Sequence, residues 1–170
     1  MDDKRRKFEA QALPHLDAAY NLARWLDPAL ADDIVQEAML RAFRAFDGFR
    51  GDNVRPWLLA IVRNCRHDAL AETRRRAQVP LASAEDGELV DSAPNPEDAA
   101  SSASDRRKLD DALAALPEEF REVLILREME DLSYREIADV IAAPIGTVMS
   151  RLSRARAMLK EMWMTNYALR

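Results

Sequence analysis

The sequence predicts an all-α protein made of two small helical domains joined by a flexible acidic linker. Only four of its 170 residues are glycine, which disfavours a sandwich or barrel with many glycine-rich turns. The hydrophobic fraction of 48% and the charged fraction of 32% are typical of folded helical domains. Between two stretches of helical periodicity lies a segment rich in proline, serine and acidic residues, which predicts the boundary between the domains.

The predicted linker spans residues 77–104. It contains three prolines, a serine cluster, six acidic side chains and no basic one, with few large apolar residues to form a core. A long surface loop within one domain is the alternative, but structureless loops of this length are uncommon in compact domains. We therefore expect one domain at 1–76 and another at 105–170.

The linker also accounts for most of the net charge of −5. Outside it, two stretches are locally basic. Residues 63–76 contain five arginines against two acids, and residues 144–160 contain four cations and no acid. Because salt screens charges beyond about 8 Å, phosphate binding depends on these local fields, and the acidic average does not exclude a nucleic-acid partner.

Three helices are predicted in the first domain. The first covers Phe8–Leu26, with Leu13 on its core-facing stripe. Asp27 is expected to cap the second helix, which begins at Pro28 and runs to about Phe46. After a turn-rich loop, the third helix covers Pro56–Arg75.

The second domain contains a predicted helix-turn-helix. Ser133 and Glu136 have the spacing of a capping box, in which each side chain bonds the backbone amide of the other. That helix ends near Ala142, where many such motifs have glycine, and Pro144 starts the next helix at once. Two helices separated by so tight a turn are typical of a DNA-binding motif.

The second of these helices has the composition of a recognition helix. Small residues such as Gly146 near its start permit close approach to a groove, and Arg151 and Arg154 are spaced to reach guanine edges or phosphates. An ordinary helical hairpin with a solvated basic face is the alternative. The lack of acids over 144–160 favours DNA binding.

Two further polar sets are ambiguous from the residues alone. Trp57, with Arg63 and Asn64 two turns later, suits unstacked bases, but it equally suits a core position beside a solvated face. The second set consists of polar side chains at i, i+4 spacing on the second predicted helix, opposite its apolar stripe. Such a set is explained either by a face exposed to solvent or by a face that docks a partner protein. That set is Asp32, Asp33, Gln36, Glu37 and Arg41.

The sequence patterns contain no catalytic or metal-binding motif. His15 and His67 are the two histidines, and the single cysteine, Cys65, lacks a second ligand pair at zinc spacing. We expect no enzyme activity, metal, cofactor or small-molecule substrate. One cysteine and no apolar run of about 18 residues predict a cytoplasmic protein without direct membrane insertion.

Five blocks of sequence, in this order, resemble the extracytoplasmic-function (ECF) sigma factors of bacterial RNA polymerase. They are 32–38 (DDIVQEA), 56–64 (PWLLAIVRN), 116–123 (LPEEFREV), 133–138 (SYREIA) and 144–152 (PIGTVMSRL). The resemblance covers almost the whole chain. It implies a sigma domain 2 at 1–76, a sigma domain 4 with the helix-turn-helix at 105–170, and no domain 3.

The resemblance also implies roles for three sets of residues. The polar face of Asp32, Asp33, Gln36, Glu37 and Arg41 would bind core RNA polymerase. The −10 element would be read and its opened strand supported by Phe49, Arg50, Asp52, Asn53, Trp57, Arg63, Asn64 and Asp68. The −35 element would be contacted by Arg135, Thr147, Met149, Ser150, Arg151, Ser153 and Arg154. An anti-sigma factor is a further expected partner, beside polymerase and promoter DNA.

Two other functions stay open at this point. A sigma-like decoy would bind an anti-sigma factor and never DNA, but the base-reading arginines that a decoy should lose are present. A stand-alone helix-turn-helix regulator would bind DNA without polymerase, but it leaves the first domain without a function.

Overall fold

The computed structural model describes residues 2–77 and 100–167, with side chains over 3–77 and 107–165. The secondary structure of these residues is helical throughout, which confirms the predicted all-α fold. The helices are α1 (Asp2–Ala12), α2 (Leu16–Leu26), α3 (Ala31–Ala45), α4 (Val54–Ala77), α5 (Ala100–Ala115), α6 (Glu118–Glu128), α7 (Tyr134–Ile141) and α8 (Ile145–Tyr167). The central part of the predicted linker, 78–99, lies outside the described residues.

The helices extend into both ends of the predicted linker. Helix α4 ends at Ala77, and α5 begins at Ala100, five residues before the predicted start of the second domain at residue 105. The serine cluster at 101–104 favours a loop, but alanine, the strongest helix former, is interleaved with it.

A proline interrupts the first predicted helix. Pro14 has no amide hydrogen to donate, and Leu13–His15 form a short 3-10 turn between α1 and α2. The prediction of one helix over Phe8–Leu26 with Leu13 in the core is therefore wrong, and 47% of the Leu13 surface is exposed.

Helix α3 begins three residues later than predicted. Asp27 has an extended backbone at the end of α2 (φ −156°), and its carboxylate accepts a hydrogen bond from the Leu30 amide at 3.2 Å. The side chain therefore stabilises a turn through Pro28, and α3 begins only at Ala31.

The first domain, α1–α4, packs α2, α3 and α4 around a buried apolar core. Helix α1 covers one end through Phe8, whose ring meets Phe43 and Phe46 edge to face with centroids 5.3 Å apart in both pairs. This aromatic cluster lies directly beneath the loop that carries several predicted −10 residues.

The second domain, α5–α8, contains the helix-turn-helix as α7 and α8. Both bonds of the predicted capping box are present: the Glu136 amide donates to Ser133 Oγ at 3.2 Å, and the Ser133 amide donates to Glu136 Oε2 at 2.8 Å. Ala142 then reverses the chain in the left-handed conformation (φ 51°), and Pro144 precedes α8.

The two domains share one continuous apolar core. Helix α2 packs on α6, and α4 packs on α7. The second domain therefore lies against one long face of α4, the helix that carries the predicted strand-supporting residues of the first domain.

Candidate nucleic-acid interface

The first turns of α8 present most of the predicted −35 residues on an open face. Met149 is 54% exposed, and Ser150, Ser153 and Arg154 are exposed beside it. The opposite face is held by three buried apolar residues, Val148, Leu152 and Ala155. This helical spacing of apolar residues fixes which side of α8 faces away from the core.

Arg151 lies at the edge of the same face and is half-buried. Its guanidinium is 3.4 Å from the Glu119 carboxylate of α6, which positions it beside the exposed residues. Such an arginine is preorganised for a bidentate contact with a guanine edge or a phosphate.

The start of α8 leaves room for another molecule to approach the helix backbone closely. A Cβ atom added at Gly146 would meet no protein atom within 4 Å, so the protein's own packing does not require glycine there. Thr147 is half-buried, and its carbonyl accepts a hydrogen bond from the Ser150 hydroxyl at 3.0 Å. Arg135 is exposed in the first turn of α7.

The loop before α4 forms an aromatic platform. The centroid of the Phe49 ring lies 4.9 Å from that of the Trp57 ring, and the centroid of the Phe46 ring lies 6.3 Å from it. Both Phe49 and Trp57 are half-buried. Trp57 therefore packs against the core and also retains surface on which a base could stack, so the two interpretations of this residue are compatible.

The rest of this loop is organised by its own polar atoms. Arg50 donates to the carbonyls of Asp47 at 2.6 Å and Phe49 at 3.2 Å. Asp52 is exposed. Gly51 has a role that the sequence patterns missed, because a Cβ there would lie 2.9 Å from the Phe49 ring.

The predicted −10 residues of α4 point in three directions. Arg63 donates to the Glu122 carboxylate of the second domain at 2.6 Å, and only 18% of its side chain is exposed. Asn64 is exposed. Asp68 accepts a hydrogen bond from Arg41 of α3 at 2.5 Å, on the side of the predicted polymerase-binding face.

The predicted polymerase-binding residues share one face of α3. Asp32, Asp33 and Gln36 are exposed in its first turns, where the helix dipole favours acidic side chains. Glu37 accepts a hydrogen bond from Arg41 at 2.6 Å. The hydrogen bonds from Arg41 to Asp68 and Glu37 raise the pKa of Arg41 above its ordinary value.

A groove of about 370 Å³ runs between α3 and α4 beside this face. Asp33, Glu37, Arg41 and Asp68 line it, and Cys65 forms part of its floor. Cys65 is buried, and burial raises the pKa of its thiol. The groove is therefore a charged surface suited to a protein partner, with a thiol that stays protonated at neutral pH.

Polar contacts between the domains were not predicted from the sequence. Besides a hydrogen bond from Asn21 of α2 to Glu130 at 3.5 Å, four such contacts involve α4 or the residue before it. Each joins a glutamate of the second domain to a polar side chain on α4 or immediately before it. The pairs are Glu118 with Arg66, Glu122 with Arg63, Glu130 with Arg55, and Glu136 with Asn53.

The ionisation of two of these glutamates reflects their contacts. Burial alone would raise the pKa of Glu118, but the hydrogen bond and charge of Arg66, together with the charges of His67 and Arg121, outweigh it and hold that pKa below its ordinary value. The pKa of Glu136 is lowered chiefly by the hydrogen bond from the Ser133 amide.

Over 2–77 and 100–167, no group of three histidine, cysteine, aspartate or glutamate side chains could hold a metal ion. In the same residues, no helix combines the length and apolar character needed to cross a membrane.

An open recognition helix on a two-domain helical fold defines a DNA-binding protein of the helix-turn-helix class. The comparisons with known families agree with this class. Residues 13–76 match the model of Sigma-70 region 2, and residues 106–159 match the model of Sigma-70, region 4.

Two relatives are similar over most of the chain. The ECF RNA polymerase sigma-E factor of Escherichia coli (strain K12) is 35% identical over 142 residues, which are 79% of this chain and 74% of that protein. The sigma-E factor of Haemophilus influenzae is 34% identical over 146 residues, 82% of this chain and 77% of that protein. The chain therefore belongs to the ECF family of RNA polymerase sigma factors.

Two solved structures are similar in fold. One is the sigma factor RpoE in complex with the anti-sigma factor NepR from Bartonella quintana, with a TM-score of 0.73 and 28% identity over 93% of this chain and 97% of that one. The other is CnrH in complex with the cytosolic domain of CnrY, with a TM-score of 0.66 and 26% identity over 95% of this chain and 90% of that one.

Proposed function

We propose that this protein is a transcription initiation factor that binds core RNA polymerase, directs it to promoters with specific −35 and −10 elements, and helps to open the duplex. The observation that supports this most strongly is the presence of both sigma regions on one chain, with the recognition face of α8 open to solvent. Such a protein makes no covalent bond, needs no cofactor and acts in the cytoplasm.

The −35 element is contacted by the open face of α8. Arg151 and Arg154 read base edges in the major groove, with Met149, Ser150 and Ser153 filling the contact surface between them. Thr147 and Arg135 hold phosphates near the start of α8, where helix amides and dipole also favour an anion.

The −10 element is contacted by the loop before α4 and by α4 itself. A base turned out of the stack rests on the platform of Phe49 and Trp57, and Arg50, Asp52 and Asn53 surround it. Unstacking a base costs a few kcal/mol, which stacking on an aromatic face recovers in part, so opening proceeds without ATP. Arg63, Asn64 and Asp68 support the separated strand along α4.

Core polymerase is bound by the polar face of α3. Its groove with α4 offers acidic residues and one fixed arginine, Arg41, to a charged partner helix. Arg41 of this face donates a hydrogen bond to Asp68 of α4. One ion pair therefore joins the residues that dock polymerase to those that support the separated strand.

Control by an anti-sigma factor follows from the relatives. The two similar structures are of sigma factors with anti-sigma factors bound. We expect an anti-sigma partner for this chain too.

In-vitro transcription tests the proposed function. Purified core polymerase is supplied with a pool of promoter fragments from the host, with and without the protein. New discrete transcripts that depend on the protein are the expected result, and their start sites give the −35 and −10 sequences. If polymerase neither binds the protein nor starts new transcripts, the proposal fails, and a pull-down for an anti-sigma partner then tests the decoy function.

A further inference from the structure

Helix α1 belongs to none of the predicted sites, although it contacts the turn that leads into the −10 loop. It lies before residue 13, where the match to Sigma-70 region 2 begins. Lys4, Phe8 and Ala12 recur at i, i+4 spacing on one side of α1; Lys4 is half-buried and the other two are buried. An isolated helix of this length is marginal in water, so the packing of this side holds α1 in place.

Phe8 fixes α1 on the first domain. Its ring lies edge to face against the rings of Phe43 and Phe46, at the end of α3. Phe46 begins the short 3-10 turn Phe46–Gly48, which leads into the −10 loop. The centroid of the Phe46 ring lies 6.3 Å from that of Trp57. A continuous row of rings therefore connects α1 with the aromatic platform.

Lys4 holds the same turn through three contacts. Its Nζ donates a hydrogen bond to Asp47 Oδ2 at 2.6 Å and another to the Arg44 carbonyl at 3.4 Å. The ammonium group also lies 5.1 Å from the centroid of the Phe43 ring, which is close enough for a cation–π contact. The position of Asp47 therefore depends on a residue 43 positions earlier in the chain.

Asp47 is connected in turn to the platform. Its carbonyl accepts a hydrogen bond from Arg50 at 2.6 Å, and the Phe49 amide donates to the Phe46 carbonyl at 3.0 Å. Phe49 then places its ring against Trp57, with centroids 4.9 Å apart. A displacement of Asp47 would therefore move the Phe49 ring as well.

The bridge between Lys4 and Asp47 affects geometry more than stability. The Asp47 side chain is 71% exposed, and ion pairs open to water add little to the free energy of folding. The neighbouring Gly48 has no side chain, and a Cβ atom added there would meet nothing within 4 Å. The bridge from α1 therefore restrains a turn that has little packing of its own on this side.

We propose that Lys4 is a positioning residue for the −10 platform: through Asp47 it holds the Phe46–Gly48 turn and so keeps the Phe49 ring against Trp57. This role rests on the proposed function, since it assumes that the platform takes a base of the opened −10 element. Stacking depends on the placement of the two rings, so a displaced Phe49 offers less surface to the base. Helix α1 thereby contributes to promoter opening without contacting DNA itself.

Promoter opening by the holoenzyme tests this role. Lys4→Gln removes the cation, whereas Lys4→Arg keeps it within reach of Asp47. We expect Lys4→Gln to reduce permanganate reactivity of the −10 region about two- to fivefold, the effect of one exposed ion pair, and Lys4→Arg to stay close to wild type. Lys7→Gln is the matched control, because it removes the same charge from an exposed residue of α1 that pairs with Asp3 at 2.8 Å.

A change at Asp47 separates positioning from direct contact with DNA. If Lys4 acts through Asp47, Asp47→Asn should reduce opening as much as Lys4→Gln, and the double variant should be no worse than either single variant. If Lys4 bound a backbone phosphate instead, Asp47→Asn would free the ammonium group for DNA and would leave opening unchanged or raise it. That result would overturn the proposal.

Fluorescence of Trp57 reports on the platform in the full chain without polymerase. The chain has three tryptophans, and replacing Trp25→Phe and Trp163→Phe leaves Trp57 as the emitter. Because a displaced Phe49 admits water to the indole, Lys4→Gln should shift the emission to longer wavelength in this background. Lys4→Arg and Lys7→Gln should leave the emission unchanged.

The outcomes distinguish this role from the proposed function. The role of Lys4 is overturned if wild type opens promoters and Lys4→Gln opens them equally well, or if the Trp57 emission does not shift. It is also overturned if Lys4→Arg or Lys7→Gln is as impaired as Lys4→Gln. If the wild-type holoenzyme itself opens no promoter, the proposed function and this role fall together.

Discussion

The two predicted DNA-contacting surfaces of this molecule differ in what covers them. On the second domain, the −35 residues lie on the open face of α8, anchored from behind by buried apolar residues. On the first domain, Asn53 and Arg63 are bonded to glutamates of the second domain. In this arrangement the predicted −35 residues are therefore open to solvent, whereas two of the predicted −10 residues are bonded to the second domain.

The largest effect is expected at the predicted polymerase-binding face of α3. Replacing Gln36→Ala and Glu37→Ala together should weaken binding to core polymerase by about 2–4 kcal/mol, the range of interface hot spots. Binding of the same variant to a −35 duplex, measured by fluorescence anisotropy, should be unchanged. Equal loss of both activities would indicate misfolding and remove the assignment.

The contribution of the open face of α8 can be tested by replacing its arginines. Arg151→Ala or Arg154→Ala should each weaken −35 binding by about 1–3 kcal/mol in a sequence-dependent way, because bidentate base contacts are lost. Binding isotherms on cognate and scrambled duplexes measure this. A loss of equal size on both duplexes would make these residues phosphate contacts.

The predicted −10 platform of Phe49 and Trp57 can be tested at a glycine. Gly51→Ala should displace the Phe49 ring from Trp57, with an overpacking cost of about 1–3 kcal/mol, and reduce promoter opening measured by permanganate reactivity. Gly48→Ala is the matched control, since a Cβ at Gly48 meets nothing within 4 Å. Equal promoter opening by the two variants would show that Gly51 does not position the platform.

The turn of the helix-turn-helix offers a smaller and stabilising change. Ala142 has a left-handed backbone, which glycine adopts without steric penalty. Ala142→Gly should therefore raise the free energy of unfolding by about 0.5–1 kcal/mol in a denaturant titration. Ala138→Gly, in the middle of α7, should lower it instead. A lower stability for Ala142→Gly would contradict the observed turn.

The smallest effect concerns pH. Because Arg66, with the charges of His67 and Arg121, holds the pKa of Glu118 below its ordinary value of 4.5, this pair stabilises the contact between the domains fully above about pH 4.5 and loses its contribution as the pH falls through the lowered value. The effect is modest, since 40% of the Glu118 side chain is exposed to water. Comparing the radius of gyration of wild type and Glu118→Gln through this range isolates it, and identical profiles would contradict it.

Local features were predictable from the sequence because they depend on neighbouring residues. The capping box of Ser133 and Glu136 and the tight turn before Pro144 were both predicted and are both present. The break at Pro14 was missed, since the apolar stripe continues across it and hides the missing amide donor. The prediction that the second helix begins at Pro28 was wrong, because Asp27 stabilises a turn there instead of capping a helix.

The four contacts of α4 and Asn53 with glutamates of the second domain were not predictable in the same way. Glu118 and Arg66 are 52 residues apart, and their contact depends on how two domains pack. Glutamates on a helix normally indicate a solvated face, whereas Glu122 and Glu130 are buried and are paired with arginines of the first domain. The need for glycine at position 51 was not predictable either, since it depends on where the Phe49 ring lies in the folded protein.

A reversible bridge between the domains tests the central claim most directly. In a Cys65→Ala background, His67→Cys and Glu118→Cys would be joined by a reducible bis-maleimide, because His67 is exposed, interacts with Glu118 and lies outside the predicted −10 set. We expect the bridged protein to bind a −35 duplex normally but to initiate no transcripts with core polymerase until reductant cuts the bridge. Initiation by the bridged protein at the level of the reduced sample would contradict the account.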